Sequence, residues 1–346
     1  MVKYAKQFNT HSEYNTYITG STKILPNVSY CENNNEVHFN PVSEPIVIAK
    51  YNVTARPGDA TKICYSTSSF SEIEIDEVVQ PNVVTSYTFD STGEHIVKYT
   101  LLDSTSIGSQ AFQNCSKLTS IDIPSSVTSI GDAAFQGCDS LTSINIPSSV
   151  TSIGNNAFQG CSSLTSVTIP NSVTSIGNEA FDVCSGLTSI NIPSSVTNIA
   201  DYAFSGCSGL ISISVESGNT VYDSRGNCNA IIETATNTLL CGCQNTIIPS
   251  SVTSIGNNAF RNCTGLTNIN IPSGVTSIGN NAFYGCASIE SITSQAPTAP
   301  TIQTSTFRLV KTDGTLYVPA GSTGYDVWMG TGDYYLGSLN WTKVEQ

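Results

Sequence analysis

Hydrophobic and polar positions recur along the middle of the chain with a period of 23 residues. The dipeptide Ala-Phe marks the period. Phe112, Phe135, Phe158, Phe181 and Phe204 each stand 23 apart, and Phe260 and Phe283 resume the step. The interval from Phe204 to Phe260 is 56 residues, one regular step of 23 and one irregular unit of 33. A full unit, residues 141–163, reads LTSINIPSSVTSIGNNAFQGCSS. Leu141, Ile144 and Ile146 have the spacing of a short strand whose alternate residues point inward. Pro147 ends that strand, because it has no N–H to continue a ladder. Val150 and Ile153 give a second short apolar stretch, and Gly154 permits a sharp change of direction. Asn155 or Asn156 is placed to cap a following helical turn, with Asp132, Asn178, Asp201, Asn257 and Asn280 at the place of Asn155. Ala157 and Phe158 bury on that turn, and Cys161 follows. One such unit cannot cover its own apolar side, so units must stack into a continuous core.

These units resemble the BspA-like leucine-rich repeats, found in gut bacteria, trichomonads and some phages. Seven Ala-Phe-x-x-Cys units carry the resemblance, over about residues 101–294. It implies a mainly β, non-enzymatic leucine-rich-repeat solenoid that presents a surface, often for adhesion or protein binding. The irregular unit, at about residues 211–248, looks like a hairpin insertion of that family, with turn signals at 217–219 and 226–227.

Seven of the twelve cysteines sit three residues after a repeat Phe: Cys115, Cys138, Cys161, Cys184, Cys207, Cys263 and Cys286. One Cys per rung at a core position leaves parallel side chains, whereas disulfides need convergent Cβ vectors. With the repeat Phe residues they read as a structural core of small buried groups, kept reduced. Cys228, Cys241 and Cys243 cluster in the irregular unit but lack a fourth ligand or a nearby His, so packing is expected there rather than zinc.

The ends have a different texture. Residues 41–100 alternate apolar and polar positions between turn signals, which predicts a small antiparallel β-domain, sandwich-like and of immunoglobulin type, that caps the first rung. Residues 1–40 are polar with scattered apolar points and too few to form a core. The stretch KILPNVSYCENNNEVHFNP resembles leader segments of proteins from gut Bacteroidales and their phages, which implies an anchoring extension. Beyond Thr293 the period stops, and residues 295–346 read as a C-terminal cap with a strand at 316–318 and a short helix. Trp328, Tyr334, Tyr335 and Trp341 either cover the last rung or form a binding patch.

Charge narrows the partners. The net charge is −13, and residues 118–210 contain no Lys or Arg. Phosphate backbones and anionic membranes are therefore poor partners. No segment approaches the ~20 apolar residues of a spanning helix, and the N-terminus shows no apolar stretch of a secretory signal. His11, His38 and His95 all precede the array, and no nucleophile, phosphate-loop or metalloprotease motif occurs. No catalytic group, cofactor or metal is expected. What remains is the polar strip beside the strand Ile residues: Ser120, Asp122, Ser143, Asn145, Ser166, Thr168, Ser189, Asn191, Ser212, Ser214, Asn268 and Asn270. It lacks the Trp, Tyr and Arg of a hot spot, so alone it predicts weak or multivalent binding, or mere solvation. Two roles follow. One is a surface adhesion or protein-binding module, touching protein or cell-surface glycan. The other is a virion component, a fibre or decoration protein, joined to other virion proteins through residues 1–40, with oligomerisation compatible with either.

Overall fold

The computed structural model describes residues 28–31, 36–39, 45–54, 59–303, 305–332 and 334–346. It divides into two units, Met1–Glu44 and Pro45–Gln346. In the first, Val28–Cys31 pairs antiparallel with Glu36–Phe39, Val28 opposite Phe39. The rest of the expected anchoring segment lies outside the described residues.

The second unit begins with Ile46–Val53, whose inward residues Val47, Ala49, Tyr51 and Val53 are almost fully buried. This strand pairs antiparallel with Gly93–Leu101 on one edge. On the other edge it pairs antiparallel with Leu118–Asp122, the first repeat strand, placing Ala49 opposite Ile121. One seven-stranded sheet therefore runs from Val78–Val79 and Phe70–Ile75 through these strands to Ser143–Asn145 and Ser166–Thr168. The antiparallel pairing occupies the edge of the first repeat strand, an edge of the kind that when open invites pairing with another chain. Beside it lies a ribbon of Ala60–Lys62 with Ser86–Thr88. The Tyr51 and Tyr99 hydroxyls both donate to the Ile63 carbonyl just after that ribbon strand. An immunoglobulin-like pair of facing sheets finds no support in these strands: the ribbon is too small to form a second face.

Each regular unit contributes two strands. The second apolar stretch is itself a strand: Ser106–Ile107, Ser129–Ile130, Ser152–Ile153, Ser175–Ile176 and Asn198–Ile199 form a parallel five-stranded sheet, Ile130 opposite Ile153 and Ile153 opposite Ile176. The helical turn expected after Gly154 is instead a run of short hydrogen-bonded turns, Gln159 N–H donating to Asn156 O and Cys161 N–H to Phe158 O at 3.1 Å, and no α-helix occurs among the described residues. Its amides bond forward to the next rung: Phe112 N–H to Ala134 O, Phe135 to Ala157 and Phe158 to Ala180, each at 2.8 Å. The Asn155 column does not cap its own turn. Asp132 Oδ1 accepts from Asn155 N–H at 2.7 Å, and Asn155 Oδ1 from Asn178 N–H at 2.8 Å, so each side chain satisfies the following rung. Gly154 has a different reason from the expected one. A Cβ there would stand 2.7 Å from the Asp132 backbone nitrogen, so glycine is needed for close approach between rungs.

The repeat Phe rings stack in parallel, with centroids 5.4, 5.3, 5.2 and 5.5 Å apart from Phe112 to Phe204. Tyr99 and Phe70 cover the first ring at 5.2 and 5.5 Å. At the far end the rungs outlast the sequence period. Thr315–Val318 and Thr342–Glu345 add in parallel beside Ser291–Ser294. Phe307 continues the ring column 5.8 Å from Phe283, and Trp328 closes it at 5.2 Å. Trp328 and Trp341 are buried, their indole N–H groups donating to Pro300 O and Lys311 O, while Tyr334 and Tyr335 are half-buried. The short helix expected near the end is a single 3-10 turn, Leu336–Leu339.

The irregular unit interrupts the second sheet with a hairpin. Ala230–Glu233 pairs antiparallel with Thr238–Gly242, and the latter resumes parallel pairing with Ser254–Ile255. Thr238 and Leu239 take the register of the usual Ser and Ile. Gly242 takes the place of the repeat Phe, its N–H donating to Ala259 O at 2.8 Å, and the Phe260 ring lies where its Cβ would be.

Candidate functional site

Two faces of the array are open. On the strand face, eleven of the twelve strip residues are exposed and Ser120 is half-buried. Neighbouring rungs are in register, Ser143 opposite Ser166 and Asn145 opposite Thr168, so the side chains form columns. Ser214 Oγ donates to Asn191 Oδ1 at 2.9 Å, and Asn191 Nδ2 donates to Glu216 Oε1 at 3.2 Å. The irregular unit splits the strip: Ser189–Ile192 pairs with Ser212–Val215, and pairing begins afresh at Asn268–Ile271.

The turn face carries a second column, made by the residue that follows each repeat Phe. Gln113, Gln136 and Gln159 hydrogen-bond in series, and Gln159 reaches Asp182. Beyond the irregular unit the column changes character. Arg261 lies over the Tyr284 ring at 5.6 Å, and Arg308 lies over Tyr284 at 5.7 Å and Tyr334 at 5.2 Å. Guanidinium groups over aromatic faces are held by the ring quadrupole. Two of the chain's four arginines stand here in a strongly acidic protein. The column was readable as the position after each repeat Phe, through Gln136, Asp182, Arg261 and Tyr284, but its changing residue types hid it.

Buried chemistry is structural. The eleven cysteines of the second unit are all free thiols. In the repeat column the thiol also donates to the carbonyl of the preceding rung's Phe: Cys138 to Phe112 and Cys184 to Phe158, each at 3.1 Å. Burial pushes these thiols up, that of Cys263 to about 12, which keeps them protonated and unreactive. Cys228 and Cys243 are buried, and no group of three His, Cys, Asp or Glu side chains among the described residues is arranged to hold a metal. Both ring nitrogens of His95 are engaged, with Asp76 Oδ2 at 2.7 Å and Ser91 O at 3.0 Å. No described helix is long and apolar enough to cross a membrane.

The family described as BspA type leucine rich repeat region matches residues 105–230 and 237–323, in six copies. The chain belongs to this family. The gap in the match, residues 231–236, falls on the first strand and turn of the hairpin in the irregular unit, and the match continues past the last regular period into the degenerate rungs of this BspA-type array. A leucine rich cell surface protein from Faecalibacterium prausnitzii is 22% identical over 81% of this chain and 94% of its own, with a TM-score of 0.50, which shows the shared fold. A leucine-rich repeat protein from Bacteroides ovatus is 32% identical, covering 74% of this chain and 66% of its own, with a TM-score of 0.46. The pneumococcal vaccine antigen PcpA is 17% identical over 72% of each chain, with a TM-score of 0.48. No curated protein matches significantly.

Proposed function

We propose that this BspA-type protein is a non-catalytic, protein-binding module of a cell surface, and that the turn face after the irregular unit makes the principal contact. The observation that carries the reading is the Arg261–Tyr284–Arg308–Tyr334 ladder. Arg and Tyr dominate binding hot spots, whereas Ser, Thr and small amides contribute little. A ladder of charged, stacked groups in an otherwise acidic molecule fits an acidic patch on a partner protein. The strand strip adds a second, weaker surface whose columns suit repeated contacts. The surface location is supported by the Faecalibacterium relative, described as a cell surface protein. No observation favours the virion role, which rests on residues 1–40.

The test is binding of the purified chain to intact host epithelial cells and to their solubilised surface proteins. Replacing Tyr284 and Arg308 with Ala should weaken that binding at least about tenfold, as expected for losing hot-spot residues. Replacing Ser166 and Ser189 on the strand face with Ala should have a smaller effect. Binding unaffected by the turn-face pair, but abolished by the strand-face pair, would move the contact to the strip.

A further inference from the structure

The irregular unit shortens one turn of the array, keeping only the Gly242 N–H bond to Ala259 O, and the shortening leaves other backbone groups with nothing to bond. In each regular step three alternate turn amides donate to the next rung. Asn156, Phe158 and Gly160 donate to Asn178 O, Ala180 O and Asp182 O, all at 2.8 Å. Glu179, Phe181 and Val183 donate in the same way to Asp201 O, Ala203 O and Ser205 O at 2.8–3.0 Å. Their counterparts one rung on are Tyr202, Phe204 and Gly206, and these three amides have no partner among the described residues. Across the gap, the carbonyls of Asn257 and Arg261 stand where Asn178 O and Asp182 O accept, and neither accepts a bond. Nearly every buried backbone polar group is otherwise paired.

The two ends of the gap differ. At one end the Arg261 side chain bridges it, Nη1 donating to Ser205 Oγ at 3.1 Å and lying 3.6 Å from Asp182 Oδ1. The other end is open. There a cleft of about 250 Å³ is lined by Tyr202 and Phe204 on one lip, Asn257 and Asn258 on the other, and Leu240 and Cys241 of the hairpin strand. Asn258 is only 6% exposed, yet its side-chain amide Nδ2 has no hydrogen-bond partner. Its regular counterpart, Asn156, donates to Glu179 Oε2 at 2.9 Å. The Asp201 carboxylate also lines the cleft, and it has no following rung to accept from as Asp132 does.

We infer that this cleft binds a short backbone segment of a partner protein, which completes the shortened turn beside the hairpin strand. Within the reading proposed above, it is a second contact on the same binding protein. The segment's carbonyls accept from the Tyr202 and Phe204 amides and from Asn258 Nδ2, and its own amides donate to Asn257 O and the Asp201 carboxylate. A regular rung already shows one backbone doing both: Asn178 O accepts on one side while Glu179 N–H donates on the other. The same principle lets an added strand complete an open sheet edge. A free anion would meet the Asp201 carboxylate and an unpaired carbonyl, so the mixed lips select a peptide. The volume lies below the ~300–1,000 Å³ of ordinary small-molecule sites, and Leu240 and Cys241 offer an apolar wall. Two or three residues with small apolar side chains match both.

The probe is a library of random heptapeptides displayed on phage and selected on the full chain, the enriched sequences then being synthesised with capped ends. Amide hydrogen exchange followed by NMR gives the first readout. In the free protein the amides of Tyr202 and Phe204 should exchange faster than those of Phe135 and Phe158, and the peptide should slow them by at least about tenfold. The second readout is affinity in Leu240→Trp, which fills the cleft from the hairpin side and should weaken the peptide by at least about tenfold. If that variant does not fold, the exchange measurement on the natural chain decides. Peptides that leave the exchange of Tyr202 and Phe204 unchanged, or a selection that enriches nothing, overturn the inference. Tyr284→Ala and Arg308→Ala should leave peptide affinity intact. Should peptide binding fail while those two substitutions still weaken cell binding, the cleft falls and the turn-face reading stands.

Discussion

At the scale of single residues, the array repeats three solutions: a stacked ring, a buried thiol and a side-chain amide that reaches the next rung. The rings are the largest of these. Phe158 is fully buried and sits between Phe135 at 5.3 Å and Phe181 at 5.2 Å. Phe158→Ala should destabilise the protein by about 3–5 kcal/mol, through lost transfer energy plus a cavity, as measured by urea unfolding. The thiols give a pH dependence. Burial raises Cys64 from 9.0 to about 11 and Cys263 to about 12. A raised folded value means that the unfolded chain loses its proton first. This source of stability is therefore complete below about pH 8 and declines as pH rises from the unfolded value toward the folded one. The slope is about 1.4 kcal/mol per pH unit for each such thiol in its window. Urea midpoints at pH 8 and pH 10 should differ accordingly, and Cys263→Ala should shrink the difference. An unchanged midpoint would mean that the thiolate is solvated in the fold. The period alone made Phe and Cys readable as core, because strict recurrence at an apolar position has few other causes. The thiol's bond to the preceding rung's Phe carbonyl was not readable, since it depends on the stacking distance.

At the scale of elements, legibility followed regularity. The strand of each unit, its Pro stop and the position of the irregular unit could all be placed from spacing. The second strand could not, because Ser152–Ile153 is two residues long and becomes a strand only through parallel neighbours. Of the two strands after residue 294, Thr315–Val318 was legible as the strand expected at 316–318, whereas Thr342–Glu345 was hidden for the opposite reason: its rung kept the geometry and lost the period. The turn-face ladder is hidden in the sequence, because the apolar pattern marks only the strand face and the turn column changes residue type. Within the irregular unit, Arg225 holds the hairpin to the resumed array. Its guanidinium bonds both Asp223 oxygens, with Nη2–Oδ2 at 2.6 Å, while Nη1 donates to Asn237 Oδ1 at 2.8 Å and Ser251 Oγ at 3.1 Å. The pair is partly exposed, so solvent screens it. Arg225→Ala should still cost about 1–2 kcal/mol, because three acceptors lose a charged donor. Limited proteolysis should show the change as faster cleavage within residues 234–237, with the rungs around Phe158 unaffected.

At the scale of the second unit, the irregular stretch is a fault line. Three continuous columns stop there together. The strand sheet ends at Ser212–Val215 and restarts at Asn268–Ile271, and the second sheet ends at Asn198–Ile199. The ring column, continuous from Phe112 to Phe204, resumes only at Phe260. The buried side chains accordingly fall into two clusters, one running from Val47 to Ile213 and the other from Val252 to Trp341, which meet at the hairpin. Stability in a stacked array is a sum of rung terms and nearest-neighbour interfaces. A weak interface in the middle lowers the coupling between the halves without weakening either one. Unfolding should therefore occur in two steps rather than one, a departure from the all-or-none behaviour of small single domains. Phe158→Ala should move only one transition and Phe283→Ala only the other. Calorimetry separates the outcomes. Two transitions that shift independently would show that the halves fold as separate blocks. A single transition that moves with either substitution would show that the hairpin, with its Arg225 clamp and its pairing to Ser254–Ile255, transmits the stacking energy across the gap.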